Sequence, residues 1–142
     1  MSLDEFALIE RIARRTRARA DIVLGIGDDA ALLQPAPGQQ LAVTADTLNA
    51  GVHFPAESAP ADIGWKALAA NLSDLAAMGA VPAWCTLSLS LPQAEGDWLD
   101  AFADGLFALA DASGIAVVGG DTTRGPPSIS ITAIGQVPAA PA

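Results

Sequence analysis

The chain has 142 residues, a length that one domain can fill with a core of its own, without disulfides or a structural metal. Hydrophobic residues make up 51% and charged ones 16%, a balance that excludes a disordered polyanion despite a net charge of −9. Arg11, Arg14, Arg15, Arg17 and Arg19 lie in the first twenty positions and only Lys66 and Arg124 follow, so residues 20–142 are strongly acidic and nucleic acid is excluded as a partner.

Residues 3–18 place Phe6, Ile9, Ile12 and Ala13 at three- and four-residue steps, which predicts an amphipathic helix with its arginines on an exposed face. Asp4 and Glu5 favour its N-terminus. Strands are predicted at Ile22–Leu24, Ala30–Leu33 and Leu41–Thr47, separated by Gly25-Ile26-Gly27-Asp28-Asp29 and by Pro35-Ala36-Pro37-Gly38. A long helix is predicted over Pro60–Gly79, closed by Gly79 and kept from continuing by Pro82. On it Trp65, Leu68, Leu72, Leu75 and Ala76 form an apolar stripe, while Asp74 falls opposite with Ala67, Ala70, Asn71 and Met78. Both sides are largely apolar, so the helix is expected to be buried nearly all round, and a carboxylate there needs a hydrogen-bond partner or a metal.

Trp84–Leu91 alternates as a strand, and Asp97 to Ala112 reads as a second amphipathic helix ending at Ser113-Gly114. Ile115–Val118 is a strand leading into the loop Gly119-Gly120-Asp121-Thr122-Thr123-Arg124-Gly125, and Ser128–Val137 is the last strand. Trp65, Trp84 and Trp98 read as core or interface residues. The order predicts an α+β fold with helices packed on one face of a sheet. Residues 138–142 read as a linker or an end. The lone Cys85 forms no internal disulfide, and with the lone His53 no zinc cluster exists, which fits a reducing cytoplasm. The apolar region Ile63–Leu91 is interrupted by Lys66, Asn71, Asp74, Gly79 and Pro82, so no membrane span is expected.

Three acidic sites share a context. Asp28-Asp29 follows Gly25-Ile26-Gly27, Asp46 stands at the end of a predicted strand, and Asp121 follows Gly119-Gly120. Carboxylates at strand ends can converge on one rim of a sheet, where a hard divalent cation takes oxygen ligands together with phosphate and water. Each alone also has an ordinary reading as a turn, a cap or a surface charge; their coincidence with Asp74 in a chain so short of cations favours a metal-phosphate site.

In this order the pieces Gly25-Ile26-Gly27-Asp28-Asp29-Ala30, Asp46-Thr47-Leu48, Gly51-Val52-His53-Phe54, Asn71-Leu72-Ser73-Asp74-Leu75-Ala76-Ala77-Met78-Gly79-Ala80 and Gly119-Gly120-Asp121-Thr122-Thr123-Arg124-Gly125 closely resemble thiamine-monophosphate kinases. The resemblance covers essentially the whole chain, within a superfamily similar in fold to aminoimidazole ribonucleotide synthetase. It implies that Asp29, Thr44, Asp46, Asp74 and Asp121 help bind several magnesium ions, with Ala45 offering only its backbone carbonyl where the family pattern has a hydroxyl. It implies further that Gly120 and Asp121 lie at the ATP, that His53 lies at the thiamine phosphate, and that Asp28, Asn71 and Arg124 are candidate phosphate contacts. No side chain is assigned as nucleophile or general base. Also implied are a cytoplasmic homodimer whose N-terminal sheets join into a barrel, and a C-terminal domain absent from these residues, with residues 1–137 as the N-terminal domain. Two alternatives stand: another ATP-dependent synthetase of the superfamily, or a non-catalytic dimerisation or metal-binding module.

Overall fold

The computed structural model describes residues 5–26, 30–93 and 95–139. Its elements run α1 (Glu5–Ala13), β1 (Ile22–Leu24), β2 (Leu32–Leu33), β3 (Gln39–Asn49), α2 (Pro60–Ala77), β4 (Val81–Leu91), α3 (Gly96–Ser113), β5 (Ala116–Arg124) and β6 (Ser128–Pro138). The order and type of the elements match those read from the sequence, and the fold is α+β as expected.

Four strands form one sheet in the order β3-β6-β4-β5. Neighbours are antiparallel except β4 and β5, which are parallel because α3 carries the chain back between them. The alternation in β4 and β6 sends Cys85, Leu87, Leu89, Ile129 and Ile131 to one face, where they meet Leu68 and Leu75 of α2 and Leu99, Phe102 and Leu106 of α3. Each such large side chain withdrawn from water stabilises the fold by about 1.5–3 kcal/mol. The two helices approach closely at glycines: a Cβ on Gly64 would stand 2.3 Å from the Phe102 carbonyl oxygen, and one on Gly105 1.8 Å from that of Ala61.

The opposite face is only partly covered. The β1–β2 hairpin contributes Ile22 and Leu33, which with Ala31 pack against a second cluster of Ala83, Trp84 and Val118. Farther along, Leu41 and Val43 of β3 remain 48% and 63% exposed.

Several expectations need correction. The first helix stops at Ala13 rather than extending to residue 18, and its arginines are only in part a solvated face: Arg14 and Arg17 are exposed, Arg14 beside Glu10. Arg11 and Arg15 reach across to Asp100 and Asp104 of α3 at 2.6 and 2.8 Å, and Arg15 also lies over the Phe107 ring. On α2 the buried side is Ile63, Gly64, Ala67, Leu68, Asn71 and Leu75, whereas Trp65 and Met78 are exposed along with Asp74. The helix packs through one stripe, because the close glycine contact with α3 fixes which side turns inward. Of the three tryptophans, Trp84 is fully buried, Trp98 is half-buried and Trp65 is outside the core.

Candidate metal and phosphate site

On the helix-covered side of the sheet, β3 is an edge strand lying beside α2. Alternation along β3 turns Thr44 and Asp46 toward that helix and leaves Val43, Ala45 and Thr47 on the other face. The Thr44 hydroxyl donates to the Asp74 carboxylate at 3.4 Å. The Asp46 carboxyl is held above its ordinary range, first by hydrogen bonding with the Asp74 carboxyl, then by desolvation and by the like charge of Asp74. Two carboxylates thus face one another in an exposed groove, and among the described residues neither has an ion-pair partner. This donor set, two hard anionic oxygens and a hydroxyl with no compensating cation, is chemically suited to magnesium. Among the described residues no three His, Cys, Asp or Glu side chains converge, so this chain supplies a pair of carboxylates here rather than a closed cage.

Other predicted residues are dispersed. Asp28 and Asp29 lie outside the described residues. Asp121 is exposed on β5, in one row with Ser88, Ser130 and Thr47, which puts it three strand spacings, or about 14 Å, from β3. Neither Asp46 nor Asp121 ends a strand: both lie inside longer strands than expected, and the segment from Gly119 to Arg124 is strand rather than loop. Gly120 has φ +145°, and a Cβ there would meet the Leu87 carbonyl oxygen at 1.7 Å, so this backbone requires glycine. Beside it a cleft opens between α1 and β5, lined by Ile9, Ile12, Ile26, Leu87, Gly120 and Asp121. Arg124 is exposed at the end of β5. Asn71 is fully buried, its amide nitrogen donating to the Ala67 carbonyl at 3.2 Å, so it is removed as a phosphate contact.

His53 stands on the turn that follows β3, exposed, with Asn49 donating its backbone N–H to the ring Nδ1 at 2.9 Å. Lys66, on the outer side of α2, donates to the His53 carbonyl oxygen. Lys66 carried no site expectation from the sequence: eight residues before Asp74, it lies about 80° round the helix from it, and only the turn after β3 gives it a partner.

Residues 27–137 match the N-terminal domain of AIR synthase related proteins. The chain is 53% identical over 140 residues to the thiamine-monophosphate kinase of Salmonella typhimurium, covering 98% of this chain and 43% of that protein. Against the thiamine-monophosphate kinase of Bacillus subtilis it is 41% identical over 140 residues, 95% of this chain and 43% of the relative. The chain therefore spans less than half the length of these relatives. Among solved structures, the thiamine-monophosphate kinase from Stenotrophomonas maltophilia superposes with a TM-score of 0.85 at 71% identity, over 97% of this chain and 44% of that one. A structure described as AaThiL complexed with AMPPCP and TMP superposes with a TM-score of 0.69 at 33% identity, over 97% and 44%.

Proposed function

We propose, of a chain that belongs to the family of the AIR synthase related N-terminal domain, that it is the nucleotide- and magnesium-binding N-terminal part of a thiamine-monophosphate kinase. The reaction moves the γ-phosphoryl group of ATP to the phosphate of thiamine monophosphate. An acceptor oxygen bonds to the γ-phosphorus, the bond to the bridging oxygen breaks, and thiamine diphosphate and ADP leave. The observation that carries this reading is the Asp46–Asp74 pair with Thr44, assembled in one groove of a chain so similar to such kinases.

The acceptor is already largely dianionic near neutral pH, a phosphate monoester having its second pKa at about 6, so no general base is required. The task is to bring two anions into line. Magnesium, when bound, supplies charge neutralisation and orientation for both phosphates. Asp46 and Asp74 would hold one ion, with the Thr44 hydroxyl and the Ala45 carbonyl beside them, whereas Asp121, three strands away on β5, and Asp29 would hold other ions of a centre that takes several. Gly120 and Asp121 bound the nucleotide, whose base lies against the cleft beside α1. His53 meets the acceptor phosphate, and Asp28 and Arg124 are further contacts at the phosphates.

In the same reading residues 1–137 are the N-terminal domain, residues 138–142 lead toward a C-terminal domain that completes the active enzyme, and the enzyme works in the cytoplasm. Two copies pair through the open face bearing Leu41 and Val43, which removes that apolar surface from water.

The test is thermal unfolding of this chain with a non-hydrolysable ATP analogue, with and without magnesium, beside an assay of the complete enzyme for ADP formation. A ligand at a hundred times its dissociation constant adds about 2.7 kcal/mol. A shift that needs both magnesium and nucleotide, with ADP release dependent on thiamine monophosphate, is expected. ADP release indifferent to thiamine monophosphate would refute this substrate and favour another synthetase of the superfamily.

A further inference from the structure

We propose that Lys66 is a positioning residue that fixes His53 as a neutral Nε2–H donor aimed at the acceptor phosphate, an inference that rests on the kinase reading above. The turn carrying His53 is closed by its own backbone. The N–H groups of Val52 and His53 both donate to the Asn49 carbonyl at 3.2 and 2.9 Å, and Gly51 donates to the Phe54 carbonyl at 2.7 Å. Gly51 makes this possible at φ +79°, and the buried Phe54 ring anchors the far end.

Within this turn the His53 ring is engaged from one side only. Its Nδ1 accepts the Asn49 N–H, and a ring nitrogen that accepts an amide proton carries none of its own. The proton of the neutral ring is therefore on Nε2, on the exposed side. The carbonyl of the same residue receives the Lys66 ammonium. Among the described residues no carboxylate pairs with Lys66, so the single lysine of the chain is committed to the backbone of His53 rather than to a surface ion pair.

The contact is also placed usefully along the groove. Helix α2 and strand β3 run in opposite directions, with Lys66 on the His53 turn at one end and Asp74 on Thr44 at the other. Eight residues of helix separate Lys66 from Asp74, about 12 Å, and three residues of strand separate Asp46 from Asn49, about 10 Å. His53 thus stands at the far end of the groove from the carboxylate pair, beyond the end of β3, where the kinase reading puts the acceptor phosphate.

His53 is the only histidine, so ring ¹⁵N NMR of this chain reads one imidazole. The unmutated chain should show Nδ1 unprotonated and Nε2 protonated, Lys66→Ala should release the ring into exchange between tautomers, and Lys66→Arg should restore it. In the complete enzyme Lys66→Ala should raise KM for thiamine monophosphate about tenfold, the loss of one well-placed hydrogen bond, with KM for ATP unchanged and Lys66→Arg recovering most of it. A ring dominated by the other tautomer, a spectrum indifferent to Lys66→Ala, or an unchanged KM for thiamine monophosphate overturns the proposal. Failure of the unmutated enzyme to turn over thiamine monophosphate at all is a different result: it refutes the kinase reading and, with it, the acceptor role of His53, whatever the ring shows.

Discussion

Replacing Asp46 by Asn should make the metal-free chain more stable and its magnesium response weaker. Two unit charges at about 4 Å interact by about 1 kcal/mol in water and about 4 kcal/mol at an effective dielectric constant of 20. Asp74 is exposed and Asp46 only half-buried, so solvent screening favours the lower figure, about 1 kcal/mol of repulsion removed. For a chain of this length that is roughly 3 °C in Tm. The pH dependence has a definite sign. Asp46 binds its proton more readily folded than unfolded, so the shared proton stabilises fully below the unfolded carboxyl value of about 3.9, and this contribution is lost as pH rises through the raised native value. Asp46→Asn should flatten that decline. With magnesium at a hundred times its dissociation constant the unmutated chain should gain about 2.7 kcal/mol, roughly 8 °C, and the variant should lose most of the gain. Differential scanning calorimetry across pH, with and without magnesium, measures both. A variant that is less stable without metal, or that keeps the full magnesium shift, would refute the assignment of Asp46 and Asp74 as a strained, metal-seeking pair.

Gly105→Ala should destabilise the chain by about 2–4 kcal/mol, because its Cβ would collide with the rigid Ala61 carbonyl where the two long helices cross. Urea unfolding reads this as a lower midpoint, and a change below about 0.5 kcal/mol would mean the helices can part at little cost. Val43→Asp should halve the mass in solution with circular dichroism unchanged, since it puts a charge in the middle of the exposed apolar strand face. An unmutated chain that is already monomeric would remove that face as the pairing surface.

Periodicity made the helices and the strands β4 and β6 legible, because their alternation states which face meets the core. Legibility failed where a partner decides the outcome. Asp46 read as a strand end, yet β3 continues to Asn49 because all eleven of its residues pair with β6, a fact invisible without the partner's register. The segment from Gly119 to Arg124 read as loop because glycine and aspartate favour turns, but pairing with β4 holds it extended, and Gly120 serves a close approach to Leu87. Asp74 read as buried because Ala67, Ala70 and Met78 made its side of α2 look apolar, with Trp65 on the opposite stripe, whereas Trp65 and Met78 are both exposed. Glycines 64 and 105 decide otherwise, by letting α3 close on the other stripe. The grouping of Asp46 with Asp74 was recoverable from residue type, spacing and resemblance. The exclusion of Asn71 and the engagement of His53 by Lys66 depend on which side of one helix turns inward, and only the packed structure specifies that.

The strand pairing also orders events in time during synthesis. Gln39 of β3 pairs with Pro138 of β6, about a hundred positions downstream, while β4 and β5 border the same β6 from its other edge or through β4. As the chain leaves the ribosome, α2, β4, α3 and β5 can associate early, but β3 has no strand to join until β6 emerges. The groove that presents Asp46 to Asp74 is consequently among the last features to form. In the proposed reading a nascent chain cannot gather a cation there before β6 arrives, and cation affinity becomes a report on whether β3 has been paired.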